Sequence, residues 1–372
     1  MKILKILVTG ANGFIGKNLI EELKNRGHEE IYKCDINTTK EELEEYLSRC
    51  EFIFHLAGVN RPQNEDDFMK GNFGFTSEML ELLKKHDNKA PIVITSSIQA
   101  ELDNPYGKSK KAGEDLMFSY EKETAAKVMV YRLPNVFGKW CRPNYNSVIA
   151  TFCYNIARDL PIKVHDPNVV LNLVYIDDVV EELIMALEGK EHKENKFCYV
   201  PIMHTITLGK IAELINSFRK SRVSLMIPDM ENPFIKKLYS TYLSYLPEEK
   251  FSYPVKMNID NRGSFTELFK SKERGQVSVN ISKPGITKGN HWHNTKNEKF
   301  VVVSGKGKIK FRKIESDEVI EYNVSGDRIE VIDIPVGYTH SIENVGDTDM
   351  VTIMWANELF NQDKPDTYYL EV

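Results

Sequence analysis

Two rhythms of apolar residues divide the chain. Up to about position 247, short apolar runs alternate with segments of helical period. Ile3–Val8, Ile31–Asp35, Phe52–Leu56, Ile92–Ser97 and Val128–Leu133 read as strands, and Ile92–Ser97 as one buried in a parallel sheet. Lys17–Lys24 and Lys40–Leu47 read as helices, and another opens at NPYGKSK. Beyond about 248, short apolar strands alternate with Gly, Asn and Asp turns, the pattern of an antiparallel barrel. The shift predicts an α/β domain over 1–247 and an all-β domain over 248–372, divided at SYLPEEKFSYP. A length of 372 residues suits two domains.

The first strand runs into Gly10-Ala-Asn12-Gly13-Phe14-Ile15-Gly16 and then a helix. Strand, glycine turn and helix in that order form a dinucleotide-binding unit, in which backbone N–H groups meet the pyrophosphate. The spacing Gly-x2-Gly-x2-Gly resembles that of the extended short-chain dehydrogenases/reductases, a Rossmann-type fold. Asp35 ends the second strand 19 residues after Gly16, where a carboxylate would bond the ribose 2′-OH and favour NAD over NADP. His55-Leu56-Ala57-Gly58 resembles the family's stretch beneath the nicotinamide-side ribose, and Asn72 its structural Asn.

Candidate chemistry in this half rests on Ser97, with Ser96 as fallback, and on Tyr106 and Lys110. Four residues apart on a helix, Tyr106 and Lys110 share a face. A Lys ammonium would favour tyrosinate, and a Ser hydroxyl would hold the carbonyl under attack. Asn60, Arg61 and Asn135, with Arg142, Asn144 and Asn146 beside aromatics, are candidate substrate contacts. The Asp177-Asp178 pair reads as a helix cap.

In the second half, Gly285–Gly305 places His291 and His293 two apart, with Glu298 five residues on; His340 follows in PVGYTH. Three imidazoles and a carboxylate suit Zn²⁺ or another divalent metal. Gly-x5-His-x-His-x4-Glu-x6-Gly resembles the first cupin signature, and PVGYTHSIEN the second, although eight residues separate Gly326 from Pro335 rather than the usual five. The resemblance implies a jelly-roll barrel. The opening stretch from Asp260 to Glu267 resembles cupin-type deoxysugar 3,5-epimerases, whose base is a His aligned with His291; that role competes with ligation.

Net charge of −5 makes no electrostatic case for nucleic acid or anionic membrane, and no apolar run approaches the ~20 residues of a bilayer span. The apolar start leads straight into the glycine turn and reads as a strand, not a signal peptide. Five Cys without CxxC spacing suit reduced thiols and a cytoplasmic location.

Taken together, AGVNRP, NPYG, LYSTYLSYLP and GQVSVNISKPGITKGNHWH resemble the bifunctional capsular polysaccharide biosynthesis enzymes of the CapF type along nearly the whole chain. That resemblance implies a UDP-activated 4-keto deoxy amino sugar as substrate, on the route to UDP-N-acetyl-L-fucosamine. The cupin domain would epimerise C3 and the reductase domain reduce C4, with NADPH as cofactor (Asp35 leaves NADH open) and a homodimer as the assembly. Lys288, Lys296 and Tyr338 are the candidate bases at C3. A non-catalytic cupin, binding sugar or building a dimer, is the main alternative. A cofactor-sensing regulator would lack the Tyr106–Lys110 pair, and a dehydratase would want acids where Ile98-Gln99 stand.

Overall fold

The first apolar run folds as β1 (Ile6–Thr9), whose side chains are all buried. Ile6 and Val8 enter one core and Leu7 another on the opposite face, as strand alternation requires. The computed structural model describes residues 4–62 and 64–372, so Ile3, where the strand was expected to start, lies outside them. Then come α1 (Phe14–Asn25), β2 (Ile31–Cys34), α2 (Lys40–Arg49), β3 (Phe52–His55), α3 (Asp66–Met69), α4 (Phe75–Lys85), β4 (Ile92–Ser97), α5 (Pro105–Thr124) and β5 (Val128–Leu133). Next are β6 (Asn135–Phe137), α6 (Val148–Ala157), β7 (Val170–Tyr175), α7 (Ile176–Leu187), β8 (Lys193–Glu194), β9 (Phe197–Cys198), β10 (His204–Thr207) and α8 (Leu208–Ser224).

The main sheet has the order β2-β1-β3-β4-β5-β9-β8, parallel except for the last pair. One face packs on α1 and α7, the other on α2, α4 and α5. Because β2 and β3 lie on opposite sides of β1, the chain reverses direction there and opens a crevice at the strands' carboxyl ends. β10, β7 and β6 form a separate three-stranded sheet.

The second half is all β: β11 (Met257–Asp260), β12 (Gly263–Ser271), β13 (Gly275–Ser282), β14 (Thr287–Trp292), β15 (Glu298–Ser304), β16 (Lys306–Lys313), β17 (Val319–Ser325), β18 (Ile332–Ile334), β19 (Tyr338–Asn344), β20 (Met350–Ala356) and β21 (Tyr368–Tyr369). They form two antiparallel sheets, ordered β11-β12-β13-β20-β15-β18 and β17-β16-β19-β14-β21. Phe300, Val302, Ile334 and Met350 from the first meet Ile309, Phe311, Val324 and Ile342 from the second in one core.

The chain divides into two compact units, 1–216 with 233–247, and 217–232 with 248–372. A boundary near 248 alone leaves residues 217–232 in the first domain; the structure groups them with the second. Ile227 N donates to Lys270 O at 2.7 Å and Lys270 N to Leu225 O at 2.8 Å, so this segment lies alongside β12. Helical periodicity over 208–224 carries no sign of which body its end joins. Among the described residues, no helix is long and apolar enough to cross a membrane. All five cysteines are free and buried.

Candidate functional site

In the first unit, a cleft of 880 Å³ opens at the carboxyl ends of β1, β3 and β4. Gly10, Asn12, Gly13, Phe14, Ile15 and Gly16 form one wall, and Leu56 and Gly58 another. Gly10 has φ +69°, and a Cβ there would sit 2.8 Å from the Ala57 amide nitrogen. Only glycine lets the two strand ends come this close. Helix α1 starts with no side-chain cap and no acid in its first turn, which leaves its amide N–H groups for an anion.

Asp35 stands just past β2, but its carboxylate is engaged with the turn. One oxygen accepts from Asn12 N at 2.6 Å and the other from Ile36 N at 2.8 Å. Neither Asp35 nor Ala57 is among the residues lining the cleft; the Ala57 amide donates to Thr9 Oγ1 at 3.2 Å. His55, between Thr9 Oγ1 (2.8 Å) and Thr76 Oγ1 (2.9 Å), is pushed down to about 3 by burial, so it is a neutral strut.

Asn104 sets the start of α5 by accepting from Gly107 N at 2.8 Å, with Pro105 next. This register turns Tyr106 and Lys110 into the cleft. Lys110 Nζ donates to Thr95 O at 3.2 Å and lies 6.0 Å from the Tyr106 ring centre. Burial pushes Lys110 down to about 8, against the pull of Glu114. Burial pushes the Tyr106 phenol up, and a hydrogen bond with Ser97 only partly offsets this. Burial of the phenol thus works against the tyrosinate expected from a neighbouring Lys.

The two serines separate by strand alternation. Ser96, which also lines the cleft, donates its hydroxyl to Glu114 Oε1 at 2.7 Å, in a buried clamp with Arg132 Nε (2.9 Å) and Nη2 (2.7 Å). Ser97 is the one that meets Tyr106. Asn72 accepts from Val59 N at 2.8 Å and donates to Ser109 Oγ at 2.9 Å, tying the loop after β3 to α5.

In the second unit, a separate cavity of 580 Å³ has His291 and His340 in its wall, with Lys288, Asn280, Asp260 and Arg262. β14 and β19 pair with a register shift between Gly289 and His291 that sets His291 opposite His340. Gly289 has φ +104°, and a Cβ there would meet His340 O at 2.7 Å. Beyond the strand end, His293 completes the histidine set, and Glu298 opens β15. One donor atom from each of His291, His293, Glu298 and His340 lies within 4.8 Å of the others.

These four fit a divalent cation. His293 Nε2, Glu298 Oε2 and both ring nitrogens of His340 are buried with no hydrogen-bond partner, a costly state that an ion would relieve. Burial, then the neighbouring imidazoles, pushes His291 down to about 4, leaving a neutral ring with a free lone pair. Burial raises the Glu298 carboxyl, but His293 and His340 beside it outweigh that and hold it well below the usual carboxylate range.

Comparison with known proteins follows the same division. Residues 6–199 match the model of the NAD dependent epimerase/dehydratase family, more than half of the chain. The chain belongs to that family. Residues 258–368 match the polysaccharide biosynthesis C-terminal domain. A Pseudomonas aeruginosa protein, UDP-2-acetamido-2,6-beta-L-arabino-hexul-4-ose reductase, is 43% identical over 369 residues, 99% of each chain. The crystal structure of the capsular polysaccharide assembling protein CapF from Staphylococcus aureus shares 57% identity at a TM-score of 0.94, covering 99% of this chain and 100% of that one. A structure of CapF with the inhibitor 3-isopropenyl-tropolone shares 52% identity at a TM-score of 0.90, with the same coverage.

Within this NAD dependent epimerase/dehydratase chain, Asn60, Arg61, Asn135, Arg142 and Asn146 line the large cleft. Asn144 does not: it takes a left-handed turn at φ +54°, its amide donating to Thr151 Oγ1 at 2.9 Å. Trp140 and Tyr145 also line the cleft, the Tyr145 ring 5.3 Å from the Arg142 guanidinium. The alternation of aromatic and polar residues in KWCRPNYN was the available signal for them.

Of the three candidate bases, Lys288 reaches the smaller cavity, while Lys296 and Tyr338 are not in its wall. Lys296 Nζ donates to Thr367 Oγ1 at 2.9 Å, and Tyr338 packs on the core between the two sheets. Asp177 and Asp178 lie inside the first turn of α7 rather than capping it, paired with Lys139 and Lys237.

Proposed function

We propose that this chain is a bifunctional UDP-sugar enzyme of capsular polysaccharide biosynthesis. A cupin-type barrel epimerises C3 of UDP-2-acetamido-2,6-dideoxy-4-hexulose, and the reductase unit then reduces the C4 ketone with NAD(P)H to UDP-2-acetamido-2,6-dideoxy-L-talose. The observation that carries this reading is that one chain holds a Ser97–Tyr106–Lys110 cleft and, in its other unit, a His₃Glu cluster opening on its own cavity. The relatives named as a UDP-hexulose reductase and as a capsule assembling protein support it. So does the double antiparallel sheet, which a cupin barrel requires.

The nicotinamide would supply hydride to C4. Tyr106, protonated because burial raises it, gives its proton to O4 as the alkoxide forms, and Ser97 holds that oxygen in place. Lys110 contributes an ammonium beneath the phenol. Since that ammonium is lost as pH rises through about 8, reduction should slow above this value and level off below it. Initial rates of cofactor oxidation from pH 6.5 to 9.5 test this, and a flat profile contradicts it.

A ketone at C4 makes the C3–H acidic. A metal held by His291, His293, Glu298 and His340 would act as a Lewis acid on the ketone oxygen, and a tropolone inhibitor of CapF, with its two adjacent oxygens, suits such an ion. Of the three candidate bases, Lys288, lowered by burial and donating to Asn280 Oδ1 at 2.7 Å, is the one that lines the cavity and would take the C3 proton in its neutral form. The test is NMR of the 4-keto UDP-sugar in D₂O without reduced cofactor. Deuterium should enter C3 with the wild type and not with Lys288→Met. Should the C3 proton stay put with the wild type, the barrel is a binding or assembly module and the protein a simple ketoreductase. Exchange at full rate in Lys288→Met would move the base elsewhere.

A further inference from the structure

The last residues of the chain meet the four-donor cluster at several points, although none is among the four donors. The Asp366 carboxylate accepts from three consecutive backbone amides next to His293: Asn294 N at 3.0 Å, Thr295 N at 2.8 Å and Lys296 N at 2.8 Å. Its backbone carbonyl accepts from His293 Nδ1 at 2.5 Å. A carbonyl only accepts, so Nδ1 carries the proton and Nε2, the atom with no hydrogen-bond partner in the cluster, carries the lone pair. Asp366 does this from φ +39°, a conformation rare for a non-glycine residue and kept only where the surroundings enforce it.

The same segment reaches two further donors. Tyr369 pairs with His291 and Tyr368 with Trp292, whose ring stacks on Tyr368 at 4.8 Å. Leu370 N donates to Asn290 O at 3.0 Å, beside the register shift that sets His291. Thr339 Oγ1, next to His340, donates to Leu370 O. Lys296 adds its bond to Thr367 Oγ1.

We infer that residues 366–370 are a positioning strap for the metal centre, with Asp366 fixing the tautomer and direction of His293. This rests on the metal reading given above. His293 lies past the end of β14, where Gly337 N donates to its backbone carbonyl at 3.2 Å, and the contact that directs its ring comes from 73 residues away in sequence. The strap thus completes a centre whose donors all come from residues 291–340.

The test is zinc affinity of the full chain, measured by competition with a chromophoric chelator for wild type, Asp366→Ala, Asp366→Asn and Thr339→Val. Asp366→Ala keeps the backbone carbonyl that meets His293 Nδ1 but frees the loop amides that hold that carbonyl in place, so affinity should fall by about 10-fold, the low end of the loss when an outer partner of a ligand is disturbed. Asp366→Asn keeps one acceptor oxygen for the loop amides and should lose less. Thr339→Val, near-isosteric, should weaken zinc without disturbing the His293 loop, and it carries the test if Asp366→Ala does not fold. Cobalt(II) absorption bands should shift in Asp366→Ala, reporting a changed ligand field that a general loosening of the fold would not produce. No zinc bound by the wild type overturns the metal reading itself. Zinc bound by the wild type, with unchanged affinity in both Asp366→Ala and Thr339→Val, overturns the strap alone.

Discussion

Replacing Tyr106 by Phe is expected to cut C4 reduction by about 10²–10⁴-fold, the range for a lost general acid and equivalent to about 3–5 kcal/mol of barrier. Deuterium exchange at C3 should persist. The first loss follows because the substitution removes the one proton placed by α5 against Ser97, while leaving the ring, the helix and the cofactor turn in place. Exchange should survive because the His₃Glu cluster and Lys288 belong to the other unit and share no residue with the cleft. The measurement is cofactor oxidation together with NMR of the recovered sugar. Reduction at the wild-type rate would pass the proton role to another group, with Tyr145 the phenol also lining the cleft. Loss of both activities would mean that the two steps are not separable.

Stripping the proposed divalent metal, by chelation or by His340→Ala, should give the reverse outcome. C3 exchange should fall by at least about 10²-fold, as expected when several kcal/mol of charge stabilisation at the ketone oxygen is lost. Reduction of a sugar already carrying the epimerised C3 should continue. His340 is the informative position because both of its ring nitrogens are buried without a hydrogen-bond partner, the nearest charged group being Glu298 Oε2 at 3.5 Å from Nε2, itself one of the four donors. Metal content and exchange rate should be measured on the same sample and restored together by adding zinc. Exchange at full rate in a sample shown to be metal-free would leave the cluster a structural role only.

Much of this was legible because the signals are local. The glycine turn between an apolar run and a helical segment specifies a phosphate-facing backbone, and Tyr106 and Lys110 share a face through helix geometry alone. His291, His293 and Glu298 fall within eight residues, so a short stretch of β structure already brings them near one another. The upward push on the Tyr106 phenol was not legible. It depends on how deeply α5 buries the phenol, and burial is a property of the packed fold.

The remaining departures have the same origin. Ser96 and Ser97 are adjacent in sequence, and only the packed fold shows that the Glu114–Arg132 clamp on one side of β4 takes the Ser96 hydroxyl. Lys296 and Tyr338 flank the His-rich motifs yet lie outside the cavity wall, one drawn to Thr367 and the other to the core. Asn144 sits between two cleft residues and turns away through a left-handed backbone. By itself the sequence determined the two fold types, the glycine turn, the Tyr106–Lys110 pair and the four donors, since each is written in spacing over a few residues. Tertiary structure alone showed how deeply Tyr106 is buried, which serine Glu114 holds, which candidate base lines the smaller cavity and what meets His293 Nδ1, because each depends on segments far apart in the chain meeting in space.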